Sequence, residues 1–383
     1  MKNCVIIGGT SGIGLAIAQH IQQEDYDNIY VYGLSKPNLS LLRCEKPKNR
    51  IKYKFLNLND CDFSFLNNVS FSTLIFTAGF GRVALLEDVD LIETKKTITV
   101  NMVAPILILR KIYKKLASKK PFYCMFFSSI SGKLVSPYLS VYGAAKSGLS
   151  SFIESLNIEL EALGYDNRVL DVVPGFIPGT SFYGSDTDLN SLSKLAQKCL
   201  DKMYKRDTSF FPDEETYLPI IEKYRHDNHS FGLESYNYKL RSGRINKNKK
   251  YIIGYLSGTF DLFHVGHLKL LQRAKQKCDY LIVGVHRSGS WKGKETFIPF
   301  EERLSIIQGI RYVDFAVESC TEDSDAWSVF HYDKLFVGSD YKNSDRFKKY
   351  EKFFSDKNVE IIYFPYTKTT SSSILRERIK KEL

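Results

Sequence analysis

The amino-acid sequence predicts an α/β protein made of two doubly wound parallel-sheet domains. Two segments, 4–23 and 251–277, open in the same way, with a short apolar strand, a glycine-bearing turn and an amphipathic helix. After each opening, short apolar runs alternate with helical patterns, which is typical of parallel sheets covered by helices. Ligands bind at the carboxyl ends of such strands, so each glycine turn is a candidate site.

The first domain continues with predicted strands at 28–32, 53–56, 73–76, 122–127 and 168–173, followed by helices near 187–205 and 214–225. The second domain continues with predicted strands at 280–285, 315–317, 334–337 and 360–364. Between them, the run 241–250 is rich in Arg, Lys, Asn and Gly, which predicts a linker. The expected domains are therefore 1–240 and 251–383.

The composition favours small phosphorylated ligands over nucleic acid or membranes. Lys and Arg number 54 against 43 Asp and Glu, but no nucleic-acid recognition motif accompanies the net charge of +11. No apolar run approaches the roughly 20 residues of a membrane span, and the chain begins directly in a strand pattern without signal-peptide features. We therefore expect a cytoplasmic protein. Its seven cysteines lack metal-ligand spacing and are expected to be reduced thiols.

The first glycine turn, residues 8–14, suits a dinucleotide, because glycines let the backbone approach a pyrophosphate at a helix N-terminus. Further along, Tyr142 and Lys146 stand at i and i+4 on one helix face. The lysine charge would lower the pKa of the phenol and suit it to proton transfer near neutral pH. Ser129 follows an apolar strand and Asn101 precedes a helix pattern. An isolated Tyr–Lys pair is usually exposed on the surface without a function, but this pair occurs together with the other motifs in a consistent order.

In order and spacing, these motifs and the turn Pro174-Gly175 resemble the short-chain dehydrogenase/reductase family over about 1–185. The resemblance implies a Rossmann-like domain in which Tyr142 is the general acid/base and Ser129 orients the carbonyl. Lys146 would hold the nicotinamide ribose, and Asn101 would support a proton relay through water. Residues of the glycine turn and the strand ends would bind the cofactor: Gly8, Thr10, Ser11, Gly12, Ile13, Gly14, Ser35, Lys36, Asn57, Thr77, Ala78, Gly79, Pro174 and Gly175.

Three positions depart from the family pattern. Thr77 stands where the family has Asn, Asn57 where it has Asp, and Thr180 comes one residue late after the Pro-Gly turn. The end of the second strand carries no acid to repel a 2′-phosphate and instead offers Ser35 and Lys36. We therefore expect NADPH/NADP in preference to NADH/NAD.

The second glycine turn leads into Gly258-Thr-Phe-Asp261-Leu-Phe-His264-Val-Gly-His267. Two histidines at a helix N-terminus can stabilise charge that develops on a triphosphate. A metal site is the other interpretation, but no third ligand stands at suitable spacing, so no dedicated metal site is expected. Near the C-terminus, Lys368 lies within a cluster of hydroxyls at 367–373, only one or two of which helix capping would explain.

Residues 251–383 resemble the cytidylyltransferases, in particular the glycerol-3-phosphate type. The resemblance implies that His264 and His267 bind the triphosphate and stabilise the transition state, and that Lys292 neutralises the α-phosphate. The other implied contacts to nucleotide or substrate are Gly258, Thr259, Phe260, Asp261, Arg311, Asp340, Lys368, Ser371, Ser372 and Ser373. The family's arginine before the hydroxyl cluster is absent here, and Lys368 is the substitute cation. CTP is expected over ATP, together with Mg²⁺.

A reductase and a cytidylyltransferase on one chain suggest consecutive steps. The hypothesis is reduction of a ketose phosphate, with a pentulose 5-phosphate as the leading candidate, followed by formation of a CDP-polyol for cell-surface polysaccharide. The alternative is an independent NADP-dependent ketone reductase fused to a nucleotidyltransferase that uses glycerol phosphate or ATP. Inactive scaffold domains and a nucleic-acid-binding protein are further alternatives. Both resembled families commonly form dimers, so a homo-oligomer is expected, and 181–240 is expected to hold the reductase lid.

Overall fold

The computed structural model describes residues 2–22, 26–42, 51–180, 187–242, 251–288 and 296–365, together with Leu375. The chain divides into two compact units, residues 1–249 and 250–383. Each unit contains its own parallel sheet. Among the described helices, none is both long and apolar enough to cross a lipid bilayer.

The sheet of the first unit has seven parallel strands in the order β3-β2-β1-β4-β5-β6-β7. The strands are β1 Asn3–Ile7, β2 Asn28–Gly33, β3 Ile51–Phe55, β4 Thr73–Phe76, β5 Tyr123–Phe127, β6 Val169–Val172 and β7 Ser209–Phe210. The strand order reverses between β1 and β4, which opens a crevice at the carboxyl end of β1. The first glycine turn follows β1 and lies at this crevice, so the predicted doubly wound topology is confirmed.

Helices cover both faces of this sheet, and each face buries its own apolar cluster. The helices are α1 Gly12–Ile21, α2 Phe65–Asn68, α3 Leu91–Ile98, α4 Ala104–Leu116, α5 Ser140–Ala162, α6 Leu189–Tyr204, α7 Glu214–His226 and α8 Asn228–Arg241. The buried strands β1 and β4 carry apolar side chains on both faces, as parallel strands between helix layers require.

Two elements of the first unit were not predicted. Strand β7 has two residues, too few to show an alternating pattern. Helix α8 has no fully buried residue and therefore lacks the apolar stripe by which sequence patterns identify a helix. Arg241, which the sequence places in the linker, is the last residue of this helix.

The second unit has five parallel strands in the order β10-β9-β8-β11-β12. They are β8 Ile253–Gly258, β9 Tyr280–Val285, β10 Phe315–Glu318, β11 Lys334–Gly338 and β12 Glu360–Phe364. The helices are α9 Val265–Lys275, α10 Phe300–Gln308, α11 Asp323–Phe330 and α12 Asp345–Phe354. The order reverses between β8 and β11, so the second glycine turn also lies at a crevice of the sheet.

Candidate active sites

The first glycine turn is shaped for close approach of its own backbone. Gly8 has a φ of +89°, and a Cβ there would lie 2.4 Å from the amide nitrogen of Ala78. A Cβ on Gly14 would lie 2.4 Å from both the Gly8 carbonyl oxygen and the Thr77 hydroxyl. Only glycine fits these positions, and the resulting tight turn directs the N-terminus of α1 toward the crevice.

Two predicted cofactor residues make local contacts. The Thr77 hydroxyl donates to the Ile7 carbonyl at 3.3 Å. The Asn57 side chain accepts from the Asn59 amide at 3.1 Å and donates to Asp60 at 3.1 Å, capping a short helical turn after β3. Both residues therefore shape strand ends at the crevice, and direct cofactor contacts from them stay predictions.

The end of β2 presents hydroxyls and a cation. Ser35 and Lys36 are exposed just beyond Gly33. Thr10 of the glycine turn packs directly over Gly33, where a Cβ would lie 2.7 Å from the Thr10 methyl group. Positive and hydroxyl-bearing groups thus stand where the glycine turn meets β2.

The segment after Pro174-Gly175 folds back over the glycine turn. The Gly12 amide donates to the Thr187 hydroxyl at 2.9 Å, and a Cβ on Gly12 would lie 3.5 Å from the Thr180 methyl group. Sequence reasoning missed Thr187, because nothing local relates a threonine at this position to an amide 175 residues earlier. Residues 181–186 lie outside the described residues.

The four predicted catalytic residues of the first unit gather at the carboxyl ends of β4 and β5. The Lys146 ammonium lies 5.7 Å from the centre of the Tyr142 ring and donates to the Phe127 carbonyl at 2.7 Å. A Cβ on Gly79 would lie 3.4 Å from Asn101 Oδ1 and 3.8 Å from Lys146 Nζ. The Asn101 amide and the Lys146 ammonium therefore converge beside Gly79, and the Tyr142 ring lies next to that ammonium.

Short irregular turns of the backbone position Asn101 and Ser129. Asn101 is fully buried within a π-helical turn, Thr99–Val103, an irregularity that often marks functional sites. Its amide group donates to the Thr97 carbonyl at 2.8 Å and accepts from the Phe80 amide at 3.2 Å. Ser129 caps the short turn Ile130–Gly132, and the Ile130 amide donates to the Pro174 carbonyl at 2.9 Å.

Two opposing influences act on the charge of the Lys146 ammonium. Burial lowers the pKa of Lys146 to about 8, and the negative charge of Asp171 acts in the opposite direction. An ammonium this close to Tyr142 favours the phenolate and so promotes release of the phenolic proton.

The hairpin formed by α7 and α8 contacts both loops that flank this cluster, and no local pattern in the sequence indicates these contacts. Tyr217 lies against Gly175 and accepts from the Phe176 amide at 3.2 Å. Lys239 donates to the Ser136 hydroxyl at 3.0 Å and to the Pro137 carbonyl at 2.8 Å. A cavity of about 370 Å³ lies between hairpin and loop, lined by Val135, Pro137, Asn228, His229, Gly232, Leu233 and Tyr236.

In the second unit, buried hydrogen bonds of Arg303 and Asp261 support the turn after β8. Arg303 is fully buried and donates to the carbonyls of Thr259 and His286, at 2.5 and 2.8 Å. The buried Asp261 carboxylate accepts from the amides of Phe297 and Ile298, at 3.1 and 2.9 Å. Asp261 therefore shapes the wall of the site, and its direct contact with nucleotide stays a prediction.

The two histidines stack at the start of α9, with ring centres 4.0 Å apart. His264 Nδ1 accepts from the Gly266 amide at 3.0 Å, which leaves Nε2 to carry the proton and act as a donor. His267 packs against Phe260 and, within the described part of the chain, its buried Nδ1 has no hydrogen-bond partner. A buried nitrogen without a partner fits a site that a polar ligand completes.

Burial lowers the pKa of both imidazoles. The pKa of His264 falls below its usual value, and that of His267 falls to about 3, with the neighbouring His264 contributing to the fall. Both rings are therefore neutral at physiological pH. They can act on a triphosphate as hydrogen-bond donors rather than as cations.

The remaining predicted residues of this site divide into three groups. Asp340 is exposed after β11, with its carboxylate folded over Gly338 at the crevice end of the sheet. Arg311 follows α10 and precedes β10, so it lies at the opposite, amino-terminal edge, where it donates to Tyr312 at 2.6 Å. The structure therefore does not bring Arg311 to the histidines within one chain. Outside the described residues lie Lys292, Lys368, Ser371, Ser372 and Ser373.

Among the residues that the structure describes, no group of three or more His, Cys, Asp or Glu side chains is arranged to hold a metal ion. Ions that enter with a triphosphate can rely largely on phosphate oxygens.

The two units match two different families. Residues 2–191 match the family model of the short chain dehydrogenases, and residues 255–378 match that of the cytidylyltransferase-like proteins. Glycerol-3-phosphate cytidylyltransferase of Bacillus subtilis (strain 168) is 36% identical over 134 residues, covering 34% of this chain and 97% of that protein. Carbonyl reductase family member 4 of Xenopus laevis is 29% identical over 204 residues, covering 51% of this chain and 82% of that protein.

Solved structures support the fold of the first unit. A short-chain dehydrogenase from Streptomyces avermitilis superposes with a TM-score of 0.51 at 18% identity, covering 63% of this chain and 98% of that one. At this identity the likeness concerns the fold alone.

Proposed function

Because the chain joins a short-chain dehydrogenase domain to a domain of the cytidylyltransferase-like family, we propose that it carries out two consecutive reactions on one small substrate. The first site reduces the carbonyl of a ketose phosphate with NADPH and gives a polyol phosphate. The second site joins this polyol phosphate to CTP and gives a CDP-polyol and pyrophosphate. The observation that carries the proposal is chemical continuity: the first site makes an alcohol, and the second activates a phosphorylated alcohol.

In the first reaction, the glycine turn and Lys146 would hold the nicotinamide cofactor, which would supply the hydride for the carbonyl carbon. Tyr142 gives its phenolic proton to the carbonyl oxygen, and Ser129 orients that oxygen through a hydrogen bond. Lys146 stabilises the resulting phenolate and holds the nicotinamide ribose, and Asn101 supports the return of a proton through water. The convergence of Asn101 and Lys146 beside Gly79 supports these roles.

The preference for NADPH rests on the end of β2. Ser35 and Lys36 are exposed there, and the described stretch 33–38 contains no carboxylate that would repel a 2′-phosphate. A hydroxyl and a cation are the groups expected to bind that phosphate.

In the second reaction, a phosphate oxygen of the substrate attacks the α-phosphorus of CTP in line, and pyrophosphate leaves. His264 Nε2 and His267 stabilise charge on the phosphates as neutral donors. Lys292, Lys368 and the serines 371–373 are proposed to bind the phosphates, and Mg²⁺ to shield the pyrophosphate. The buried nitrogen of His267 that lacks a partner supports a ligand at this position.

The substrate class follows from the second domain. The relative named glycerol-3-phosphate cytidylyltransferase aligns over 97% of its length, which supports a small phosphorylated polyol as the alcohol. We take a pentulose 5-phosphate as the substrate of the reductase and a cell-surface polysaccharide as the destination of the CDP-polyol. A cytoplasmic homo-oligomer is the proposed state, which light scattering of the purified chain would test.

Mass spectrometry of a single reaction tests the coupled scheme. The chain is incubated with NADPH, CTP, Mg²⁺ and, in separate tubes, phosphates of a pentulose, a ketohexose and a triose. We expect a CDP-polyol in one tube, a free polyol phosphate with His264→Ala, and no product with Tyr142→Phe. If reduction and CTP consumption both occur but no reduced product ever carries CDP, the coupled scheme is wrong.

The alternative, two independent activities on one chain, is favoured by the apolar lining of the cavity beside α8. Under this alternative a phosphate-free ketone is reduced, and glycerol phosphate added directly is converted to its CDP derivative. Comparing kcat/KM for phosphorylated and phosphate-free ketones separates the two proposals.

A further inference from the structure

A buried carboxylate that the chemistry above does not use lies behind the reductase cluster. Asp171, on β6, is 4% exposed, and its Oδ2 accepts from the Ser150 hydroxyl at 2.5 Å. Its Oδ1 is also buried and, in the described part of the chain, has no hydrogen-bond partner. A buried carboxylate is costly unless something compensates its charge.

Two independent relations place Asp171 in the neighbourhood of Lys146. Tyr142, Lys146 and Ser150 follow one another at four-residue intervals on α5, so they share one helix face. The next member of this row, Ser150, is the residue that binds Asp171. From the other side, β5 pairs with β6 so that Asp171 lies opposite Phe126, adjacent to the Phe127 carbonyl that accepts from Lys146.

Among the charged side chains near Lys146 that the structure describes, Asp171 is left as its partner. Lys146 is 2% exposed, and its ammonium donates to the neutral carbonyl of Phe127. Tyr142 on the same helix is the proton donor of the reaction, and Glu93 on the neighbouring α3 is paired with Arg82 at 2.8 Å. A buried ammonium needs an opposite charge to remain protonated, and burial alone drives the pKa of Lys146 down toward neutrality.

We infer that Asp171 is a positioning residue of the reductase, the buried counter-charge that keeps Lys146 protonated so that Lys146 can act on Tyr142 and the cofactor ribose. This role is independent of which carbonyl compound is reduced. It rests only on the proposed use of the Tyr142–Lys146 pair in catalysis.

The pH profile of reduction is the first test. Asp171→Asn keeps the shape of the side chain and removes its charge, so Lys146 loses its proton at lower pH. The alkaline limb of kcat should move to lower pH by at least about one unit, the usual effect of a nearby opposite charge. Asn157→Ser is the matched control, because Asn157 on the same helix bonds the Val169 backbone of β6 without any charge. It should destabilise the unit and leave the alkaline limb in place.

A double-mutant cycle gives a second test that needs neither cofactor nor activity. Trp291 and Trp327 both belong to the second unit, so a transition seen by circular dichroism but not by tryptophan fluorescence is that of the reductase unit. Asp171→Asn should lower this unfolding midpoint when Lys146 is present and should not lower it in a Lys146→Met background.

Equal falls of the midpoint in both backgrounds, or an alkaline limb that stays in place, would overturn the role of Asp171. A chain that reduces no carbonyl compound would instead refute the proposed reductase function. In that case the cycle would still decide whether Asp171 compensates the charge of Lys146, so the two failures are distinguishable.

Discussion

The buried imidazole of His267 makes the second unit sensitive to acid in a way that can be calculated. Burial lowers its pKa to about 3, well below the usual value of about 6.5 for histidine. Unfolding below about pH 6.5 therefore takes up a proton, and stability falls as the pH falls until the folded-state pKa is reached. About pH 5 lies roughly 1.5 units below the unfolded pKa, at about 1.4 kcal/mol per unit, so the loss relative to about pH 8 is about 2 kcal/mol.

Chemical denaturation followed by tryptophan fluorescence measures this loss, because both tryptophans belong to the second unit. Between about pH 8 and pH 5, the wild-type unit should lose about 2 kcal/mol more than His267→Gln, which cannot titrate. The pKa of His264 is also lowered by burial and acts in the same direction, but His264 is present in both proteins.

His331→Asn provides the control, since His331 is an exposed histidine of the same unit. Its left-handed backbone, with a φ of +46°, accepts asparagine readily. The midpoint of this control should keep the wild-type dependence on pH. If His267→Gln and wild type lose the same stability on acidification, His267 is not a neutral buried imidazole and the proposed donor role fails with it.

Three further outcomes are expected. Lys36→Glu should lower the ratio of kcat/KM for NADPH to kcat/KM for NADH by roughly ten- to a hundredfold. This factor corresponds to the loss of a charge-assisted hydrogen bond of about 1.5–3 kcal/mol, and steady-state kinetics would measure it. Gly14→Ala places a methyl group 2.4 Å from the Gly8 carbonyl oxygen. It should destabilise the first unit by about 1–3 kcal/mol and abolish NADPH binding in calorimetry while CTP binding persists. Lys239→Met releases the loop after Ser129 and should raise KM for the carbonyl substrate several-fold, whereas Lys223→Met, at an exposed salt bridge on the same hairpin, should not.

Much of the architecture could be predicted because it is encoded locally. The alternation of apolar runs and helical patterns predicted two parallel sheets, and both are present. The glycine turns could be recognised because Gly8 must adopt a positive φ, which only glycine adopts freely. The Tyr142–Lys146 pair follows from four-residue spacing on a helix, which fixes a shared face before any tertiary contact forms.

Other features had no local signal. The hairpin α7–α8 carries little buried apolar surface, so its role over the loops at Gly175 and Pro137 could not be read from its periodicity. Arg311 is conspicuous in sequence but lies at the edge of its sheet away from His264, since the helix before it returns the chain to the amino-terminal ends of the strands.

The sequence by itself determined which side chains share one helix face or one turn, because spacing along the chain fixes those relations, and it predicted from them which residues carry the chemistry and which turns hold phosphates. Only the tertiary structure decided which groups tune that chemistry. Asp171 reaches the neighbourhood of Lys146 through the pairing of β5 with β6, and the neutral state of His267 follows from burial against Phe260. Burial and strand pairing determine the protonation of such groups, and the spacing of residues along the chain shows neither.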